Sequence, residues 1–291
     1  MRVIVTGAGG FIGQHLMARL AEEHDIEAIG IVRTPSSSLE ARSTIEADIA
    51  APGWTRRLPS IADAVVHLAQ SRHHRAFPEG ASDVYQVNVN ATFELLEWSR
   101  LAGVGNFVFA STGSVYRAQD RLLTEDDAIF GSSFYAASKI AAEAFCSAYA
   151  KQFHTTALRI FGAYGPGASD SVLPRLMRKV ANGETITLDG GVGLLTTPTY
   201  VADCVDAIVS SLRSNATAES SRVLNVCGDE EVSLHAACTI LGELLDVQPR
   251  LVANNNAPMR LSGSNARAKQ ALAWSPRYGL REGLAVLCRD V

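Results

Sequence analysis

The chain has 291 residues, of which 47% are hydrophobic and 19% charged, and its formal net charge is -4. That is enough apolar sequence for one large domain or two modest ones. The slightly acidic balance, with no basic run, gives no electrostatic footprint for nucleic acid, and no apolar run is long enough to span a membrane.

The N-terminus runs straight into a strand pattern, without the features of a signal peptide. The five cysteines (Cys146, Cys204, Cys227, Cys238 and Cys288) are scattered, odd in number and without metal-ligand spacing. They read as reduced, mostly buried thiols. A cytoplasmic protein with no bound metal is the expectation.

Taken in order, the chain opens with MRVIVTGAGGFIG. Val3 to Thr6 reads as a buried strand. Gly7, Gly9, Gly10 and Gly13 crowd one turn, and Phe11 to Leu20 continues with helical spacing. A strand, a glycine turn and a helix place backbone N–H groups at a helix N-terminus, where they and the helix dipole favour a pyrophosphate. Gly7 permits the tight turn, Gly10 the approach of phosphate to backbone, and Gly13 close packing of helix on strand. The alternative is a plain strand-to-helix turn in another α/β protein.

Strands are then predicted over 26–32, 43–47, 64–68 and 106–110, a long helix over 83–102, a second over 135–151, and a strand over 155–160. Alternation of this kind implies a doubly wound α/β fold, a Rossmann-type parallel sheet with helices on both faces. Ligands of such sheets lie beyond the carboxyl ends of the strands.

The residues just past each strand are therefore the informative ones. After 26–32 there is no acidic residue for a ribose 2′-hydroxyl. Arg33 stands there instead, either to pair with a 2′-phosphate, which leans the cofactor from NAD to NADP, or as a solvated surface arginine. Asp48 and Ile49 either flank an adenine or start a loop. His67 reads as a packed strand histidine, and Ala69 is a small residue where the chain passes a cofactor. After 106–110, Ser111 and Thr112 offer hydroxyls to a carbonyl oxygen, or serve ordinary turn chemistry. In Tyr135-Ala136-Ala137-Ser138-Lys139, a spacing of four puts Tyr135 and Lys139 on one helix face. A nearby ammonium stabilises a phenolate, which lets the phenol exchange protons near neutrality.

Together these segments resemble the extended short-chain dehydrogenase/reductase family, of the nucleotide-sugar epimerase/dehydratase type. The resemblance covers nearly the whole chain. It rests on TGAGGFIG at 6–13, HLA at 67–69, NVNAT at 88–92, ASTGSVY at 110–116, YAASK at 135–139, LRIFGAYGPG at 158–167, YVAD at 200–203, NVCG at 225–228 and AWSP at 273–276.

The resemblance implies that Tyr135 is the general acid/base, that Lys139 holds the nicotinamide ribose and lowers the Tyr135 pKa, and that Thr112 hydrogen-bonds the reacting carbonyl. It implies a cofactor site made of Gly7, Gly9, Gly10, Phe11, Ile12 and Gly13, then Arg33, Asp48 and Ile49. Leu68, Ala69, Gln70, Asn88, Ala110, Ser111 and Phe161 complete it with Tyr135 and Lys139. Gln70, Ser111, Gly113, Gly162, Arg175 and Thr196 fall on the substrate side. The dinucleotide-binding part is expected over 1–165 and 197–227. A smaller substrate-binding part is expected over 166–196 and 228–291, with a helix over 171–182, a strand over 185–188 and a mostly helical end. A helix over 200–212 and a strand over 222–226 return to the main sheet. The two long helices resemble those through which members dimerise as a four-helix bundle.

Three departures bear on function. Gly113-Ser114 follows Thr112 where dehydratases of the family carry Asp-Glu, so 4,6-dehydration is not expected. Gly162 stands where an asparagine often touches the sugar nucleotide. Thr196 stands where many members have an arginine on the diphosphate; Arg175, Arg178 or Arg260 is left to replace it. The expected activity is epimerisation or ketoreduction of a nucleotide-linked sugar. The alternatives are reduction of a small carbonyl compound, which Leu194 and Leu195 would suit, and a non-catalytic NADP(H) sensor.

Overall fold

A computed structural model describes residues 1–34, 43–214 and 220–290. The chain opens β1 (Arg2–Thr6), α1 (Phe11–Leu20), β2 (Glu27–Val32), β3 (Thr44–Glu46), β4 (Ala64–His67), α2 (Ala81–Val84) and α3 (Ala91–Leu101). There follow β5 (Asn106–Thr112), α4 (Phe134–Ala148), β6 (His154–Ile160), α5 (Val172–Ala181), β7 (Thr185–Asp189), β8 (Leu195–Thr196), α6 (Val201–Arg213) and β9 (Ser221–Val226). The last elements are β10 (Val232–Ser233), α7 (Leu234–Leu245), β11 (Arg250–Asn254), β12 (Arg260–Leu261), α8 (Ala266–Leu272) and α9 (Leu280–Leu287).

Seven strands form one sheet in the order β3-β2-β1-β4-β5-β6-β9. The pairings from β3 across to β5 are parallel, with Val3 opposite Ala28 and Ala64. The order reverses at β1, so the carboxyl ends of β1 and β4 flank the crevice where such sheets bind ligands. The strands read as near-continuous apolar runs because both faces are covered. Val3, Ile4, Val5, Val65, Val66, Phe107 and Val108 are fully buried.

Residue contacts divide the chain into two compact units. The first is Met1–Val115, Ile129–Arg159 and Ile208–Leu224; the second is Tyr116–Ala128, Ile160–Ala207 and Asn225–Val291. The second unit thus takes in 116–128, 160–165, 197–207 and 225–227, which the sequence assigns to the dinucleotide-binding part. In the first unit Ile4, Leu95, Leu96 and Phe107 form the centre of a cluster with Trp54, Cys146 and Phe153. In the second unit α5 buries Leu173, Leu176, Met177 and Val180, one stripe at helical spacing. Ser233 caps α7 by accepting from the Ala236 N–H at 3.0 Å. The end of the chain is less helical than expected: β10 and β12 pair with β8, and β11 pairs with β7. Strands of two to five residues leave too short a period to be read from sequence.

The helix expected over 83–102 is three pieces. Between α2 and α3, Tyr85–Asn90 is a π-helix. Such wide turns are rare and concentrate at functional sites. Cys146, Cys204, Cys227 and Cys238 are buried and all five cysteines are free thiols. Among the described residues no helix is long and apolar enough to cross a membrane.

Candidate active site

The glycine turn has the expected geometry. Gly7 sits at φ +70°, and a Cβ there would meet the Ala69 backbone nitrogen at 2.7 Å. A Cβ on Gly13 would lie 2.1 Å from the Gly7 carbonyl oxygen. Neither position admits a side chain. Gly10 donates its N–H to that carbonyl oxygen at 2.9 Å and is the N-cap of α1. No side chain caps the first turn of α1 and no acidic residue stands in it. The positive end of the helix, with Phe11 and Ile12 in its first turn, is therefore left for an anion, which fits the diphosphate of a dinucleotide.

Along the other strand ends, Arg33 is exposed past β2. Asp48 accepts the Ala50 N–H at 3.1 Å, so its carboxylate shapes its own loop. Ile49 packs against the core cluster. Leu68 donates its N–H to the Thr6 carbonyl at 3.2 Å, and Ala69 is buried behind Gly7. His67 is buried between two threonines. Its Nε2 meets Thr92 Oγ1 at 2.9 Å, while Thr92 donates its own hydroxyl proton to the Asn88 carbonyl at 2.8 Å. His67 Nε2 is thus the donor, and Nδ1 accepts from Thr6. It is a packed, neutral histidine, as its strand position suggests; burial and the charge of Lys139 push its pKa down to about 3.

Asn88 is the hinge of the site. Its Oδ1 accepts the Ser71 N–H at 2.8 Å, and its Nδ2 donates to Ser138 Oγ at 2.9 Å. Ser138 in turn donates to the Tyr135 carbonyl at 2.7 Å. One buried amide therefore ties the loop after β4 to the turn of α4 that carries Tyr135. Ser133 caps α4 by accepting from the Ala136 N–H at 3.1 Å, which fixes where Tyr135 starts on the helix.

Tyr135 donates to Gln70 Oε1 at 3.2 Å, and its ring lies 5.1 Å from that of His74. Lys139, on the same face, is fully buried; its Nζ donates to the Ala110 carbonyl at 2.9 Å and lies 4.8 Å from the Phe109 ring centroid. Burial pushes the Tyr135 pKa up to about 12, opposed by a hydrogen bond from Thr112 and by the positive charge of Arg75. The ammonium is committed to Ala110, and burial brings its own pKa down to about 8, opposed by Glu143.

Ser111 is also turned inward. Its hydroxyl donates to Glu143, and Arg159 grips the same carboxylate through Nε at 3.0 Å and Nη2 at 2.7 Å. This ion pair is buried, with 5% and 7% of the two side chains exposed. Thr112, partly exposed, accepts the Ser114 N–H at 3.1 Å, and Gly113 is buried beside it. Sequence reasoning passed over Glu143, Arg159, His74 and Arg75. The signals are present: a glutamate four residues after Lys139 on the same face, an arginine inside the apolar strand HTTALRI, and the segment Arg72-His73-His74-Arg75 just past β4.

In the second unit Phe161 is buried and stacks on Tyr116 at 6.1 Å. Gly162 sits at φ +48°, facing Pro198. Thr196 lies in β8, opposite Val232. Of the three arginines that might stand in for the missing one, Arg178 donates to the Ser169 carbonyl at 2.6 Å and Arg260 pairs with Glu231 at 2.6 Å. Arg175 is exposed on α5.

The glycine turn, the switch in strand order and the Thr112–Tyr135–Lys139 grouping define a dinucleotide-dependent enzyme of the short-chain type. A family model described as the NAD dependent epimerase/dehydratase family matches residues 3–227, and the chain belongs to that family. It is 28% identical to the GDP-6-deoxy-D-mannose reductase of Pseudomonas aeruginosa, over 99% of this chain and 96% of that one. It is 30% identical to the UDP-glucose 4-epimerase of Mycolicibacterium smegmatis, over 98% and 96% of the two. The solved structure of MoeE5 in complex with UDP-glucuronic acid and NAD is similar at a TM-score of 0.87 and 30% identity, with 100% of this chain and 99% of that chain covered.

Proposed function

We propose that the protein is an NAD(P)-dependent epimerase or ketoreductase of a nucleotide-linked sugar. The observation that carries this reading is the convergence of Thr112, Tyr135 and Lys139 at the end of β5, beside a glycine turn that fits a dinucleotide. When bound, the nicotinamide gives or takes the hydride. The chain's own part is proton transfer and placement. Tyr135 moves a proton to or from the substrate oxygen. Thr112 hydrogen-bonds that oxygen and the phenol. Lys139, anchored on Ala110, holds the cofactor ribose, and Asn88 keeps the loop and helix together. With Gly113 and Ser114 after Thr112, no carboxylate pair is available there for eliminating water.

The relatives named above act on or bind GDP- and UDP-linked sugars, which supports the same class here. The second unit carries the substrate-side residues Gly162, Arg175 and Thr196 in this reading. Arg33, in place of an acidic residue, supports NADP. A cytoplasmic homodimer through the two helical segments expected over 83–102 and 135–151, as a four-helix bundle, belongs to the same reading; exposed Tyr85, Phe93 and Leu101 support it.

A second reading, reduction of a small carbonyl compound, is favoured by one observation: Arg178 and Arg260 already have partners in the protein. A thermal-shift series on cofactor-saturated protein separates the two. A ligand that binds only the native state raises Tm by mass action. A shift with one series of UDP-, GDP-, CDP- or dTDP-sugars is expected. A shift with small ketones or aldehydes, and none with any nucleotide, would replace the first reading by the second.

A further inference from the structure

Gln70 lies just past β4, at the crevice of the first unit where the strand order reverses. Its backbone is clamped on both sides. Before it, the Ala69 N–H donates to Thr6 Oγ1 at 3.4 Å, and Ala69 is buried against Gly7. After it, the Ser71 N–H donates to Asn88 Oδ1 at 2.8 Å, and the Ser71 hydroxyl donates to Asp83. The same Asn88 holds Ser138, whose hydroxyl donates to the Tyr135 carbonyl. Gln70 and Tyr135 are 65 residues apart in the chain, yet one buried side chain places both.

The side chain is exposed and turned to the phenol. Gln70 Oε1 accepts from the Tyr135 hydroxyl at 3.2 Å. Among the described residues, Gln70 Nε2 donates to no protein atom. An amide carries both atoms on one carbon: the oxygen accepts, and the nitrogen has two protons to donate. With its oxygen committed to Tyr135, Gln70 presents those two donors beside the same hydroxyl. In the mechanism proposed above, the reacting oxygen of the substrate stands within hydrogen-bond reach of Tyr135 and takes its bonds from Tyr135 and Thr112. Its two acceptor positions are then filled. The group left for Nε2 is an acceptor on the neighbouring carbon.

We propose that Gln70 is a specificity-determining residue whose amide bridges the Tyr135 hydroxyl and a hydroxyl group on the substrate carbon next to the reacting one. This rests on the nucleotide-sugar reading above and narrows it to sugars that keep that hydroxyl. A sugar meets the requirement because its carbons carry hydroxyls side by side. A simple ketone or aldehyde has only hydrogen or carbon there. It would cover the amide, shut out solvent and offer Nε2 no acceptor, which is how a site built for a hydroxyl rejects an analogue without one. The amide is also neutral. A carboxylate in its place would repel a phenolate, whereas Gln70 selects the neighbouring hydroxyl without adding charge beside Tyr135.

The test is calorimetric binding to NAD-saturated protein of UDP-glucose and GDP-mannose, each against its 2-deoxy, 3-deoxy and 4-deoxy analogues. In the unmodified protein one deoxy position is expected to bind about tenfold more weakly than the parent sugar, the scale of one lost hydrogen bond. Gln70→Leu, close to glutamine in size, is expected to bring that one difference below about threefold, with the other positions and NAD affinity unchanged. Gln70→Ala is expected to do the same, and serves if leucine disturbs the loop; circular dichroism checks that each variant is folded. If every deoxy difference is the same in the variants as in the unmodified protein, Gln70 reads no hydroxyl and the proposal is overturned, while the nucleotide-sugar reading stands. If the variants weaken NAD, or weaken all the sugars by one factor, the amide serves the cofactor or the fold, and the proposal is again overturned. If no nucleotide sugar binds the unmodified protein, the broader reading fails, and this proposal with it.

Discussion

Lys139 Nζ donates to the carbonyl oxygen of Ala110 at 2.9 Å, so the lysine of the YAASK segment is tied to the end of β5 rather than to the tyrosine one turn before it. The ammonium is buried, and Glu143, one further turn along α4, opposes the loss of its charge ahead of Cys146. Glu143 in turn is held by Arg159 and Ser111. The charge state of the lysine therefore depends on a buried network that reaches from α4 to β6.

This network sets a pH limit. The Lys139 pKa is down at about 8, so its protonated form is full below that pH and is lost as pH rises through it. If the ammonium is needed, kcat/KM falls on the alkaline side with a midpoint near 8. Glu143→Gln removes the group that raises this pKa and is expected to move the limb to lower pH. It also removes the negative charge that faces the buried Arg159 guanidinium, and breaking a buried ion pair costs roughly 3–5 kcal/mol of stability in comparable cases. A pH–rate profile for both proteins reads the first effect, and urea unfolding the second. An unmoved alkaline limb would separate Glu143 from Lys139.

Tyr135→Phe keeps the ring against His74 and loses the hydroxyl that Gln70 and Thr112 hold. Turnover is expected to fall by about 10²–10⁴, the usual contribution of a positioned acid/base, with cofactor affinity retained. Turnover within a few-fold of the unmodified protein would remove Tyr135 from the mechanism.

The glycines of the turn are not equivalent. Gly13→Ala would drive a methyl group to 2.1 Å from the Gly7 carbonyl, whereas a Cβ on Gly9 meets only Val32 Cγ1, at 3.8 Å. Gly13→Ala is expected to destabilise the protein by about 1–3 kcal/mol, as overpacking does, and to abolish cofactor binding. Gly9→Ala is expected to leave stability within about 0.5 kcal/mol. Fluorescence titration with NADH and thermal melts of the two variants make the comparison.

Arg33 is exposed past β2, and its charge reaches Asp83. If it pairs with a ribose 2′-phosphate, Arg33→Ala weakens NADPH by tenfold or more, about the 1.5–3 kcal/mol of a charged hydrogen bond, and leaves NADH nearly unchanged. Equal losses for the two dinucleotides would contradict that pairing.

Two histidines make the fold acid-sensitive. The pKa of His67 is down at about 3 and that of His154 at about 4, both mainly through burial. In the unfolded chain each titrates near 6.5, so between those values the unfolded state binds more protons and stability falls as pH falls. The expected loss from pH 7 to pH 5 is about 2 kcal/mol per histidine by this linkage. Urea unfolding at the two pH values measures it, and His67→Gln should reduce the difference. A pH-independent midpoint over this range would mean that neither histidine is held neutral.

The sequence by itself determined the glycine turn, the alternation of strands and helices, and the placing of Tyr135 and Lys139 on one helix face. These are local properties: a φ of +70° at Gly7, an apolar run in β1, a spacing of four on α4. Each is written in a few adjacent residues, so the chain carries it without reference to its neighbours. The tertiary structure decided what those residues touch. Lys139 faces Ala110 because α4 packs on β5, Glu143 meets Arg159 because it also covers β6, and Tyr135 meets Gln70 and His74 because Asn88 ties a distant loop to the same helix. Burial at those contacts then moved the charges, raising the phenol and lowering the ammonium. Desolvation and pairing act across space rather than along the chain, so residue spacing specified which groups were present and packing alone specified how they ionise.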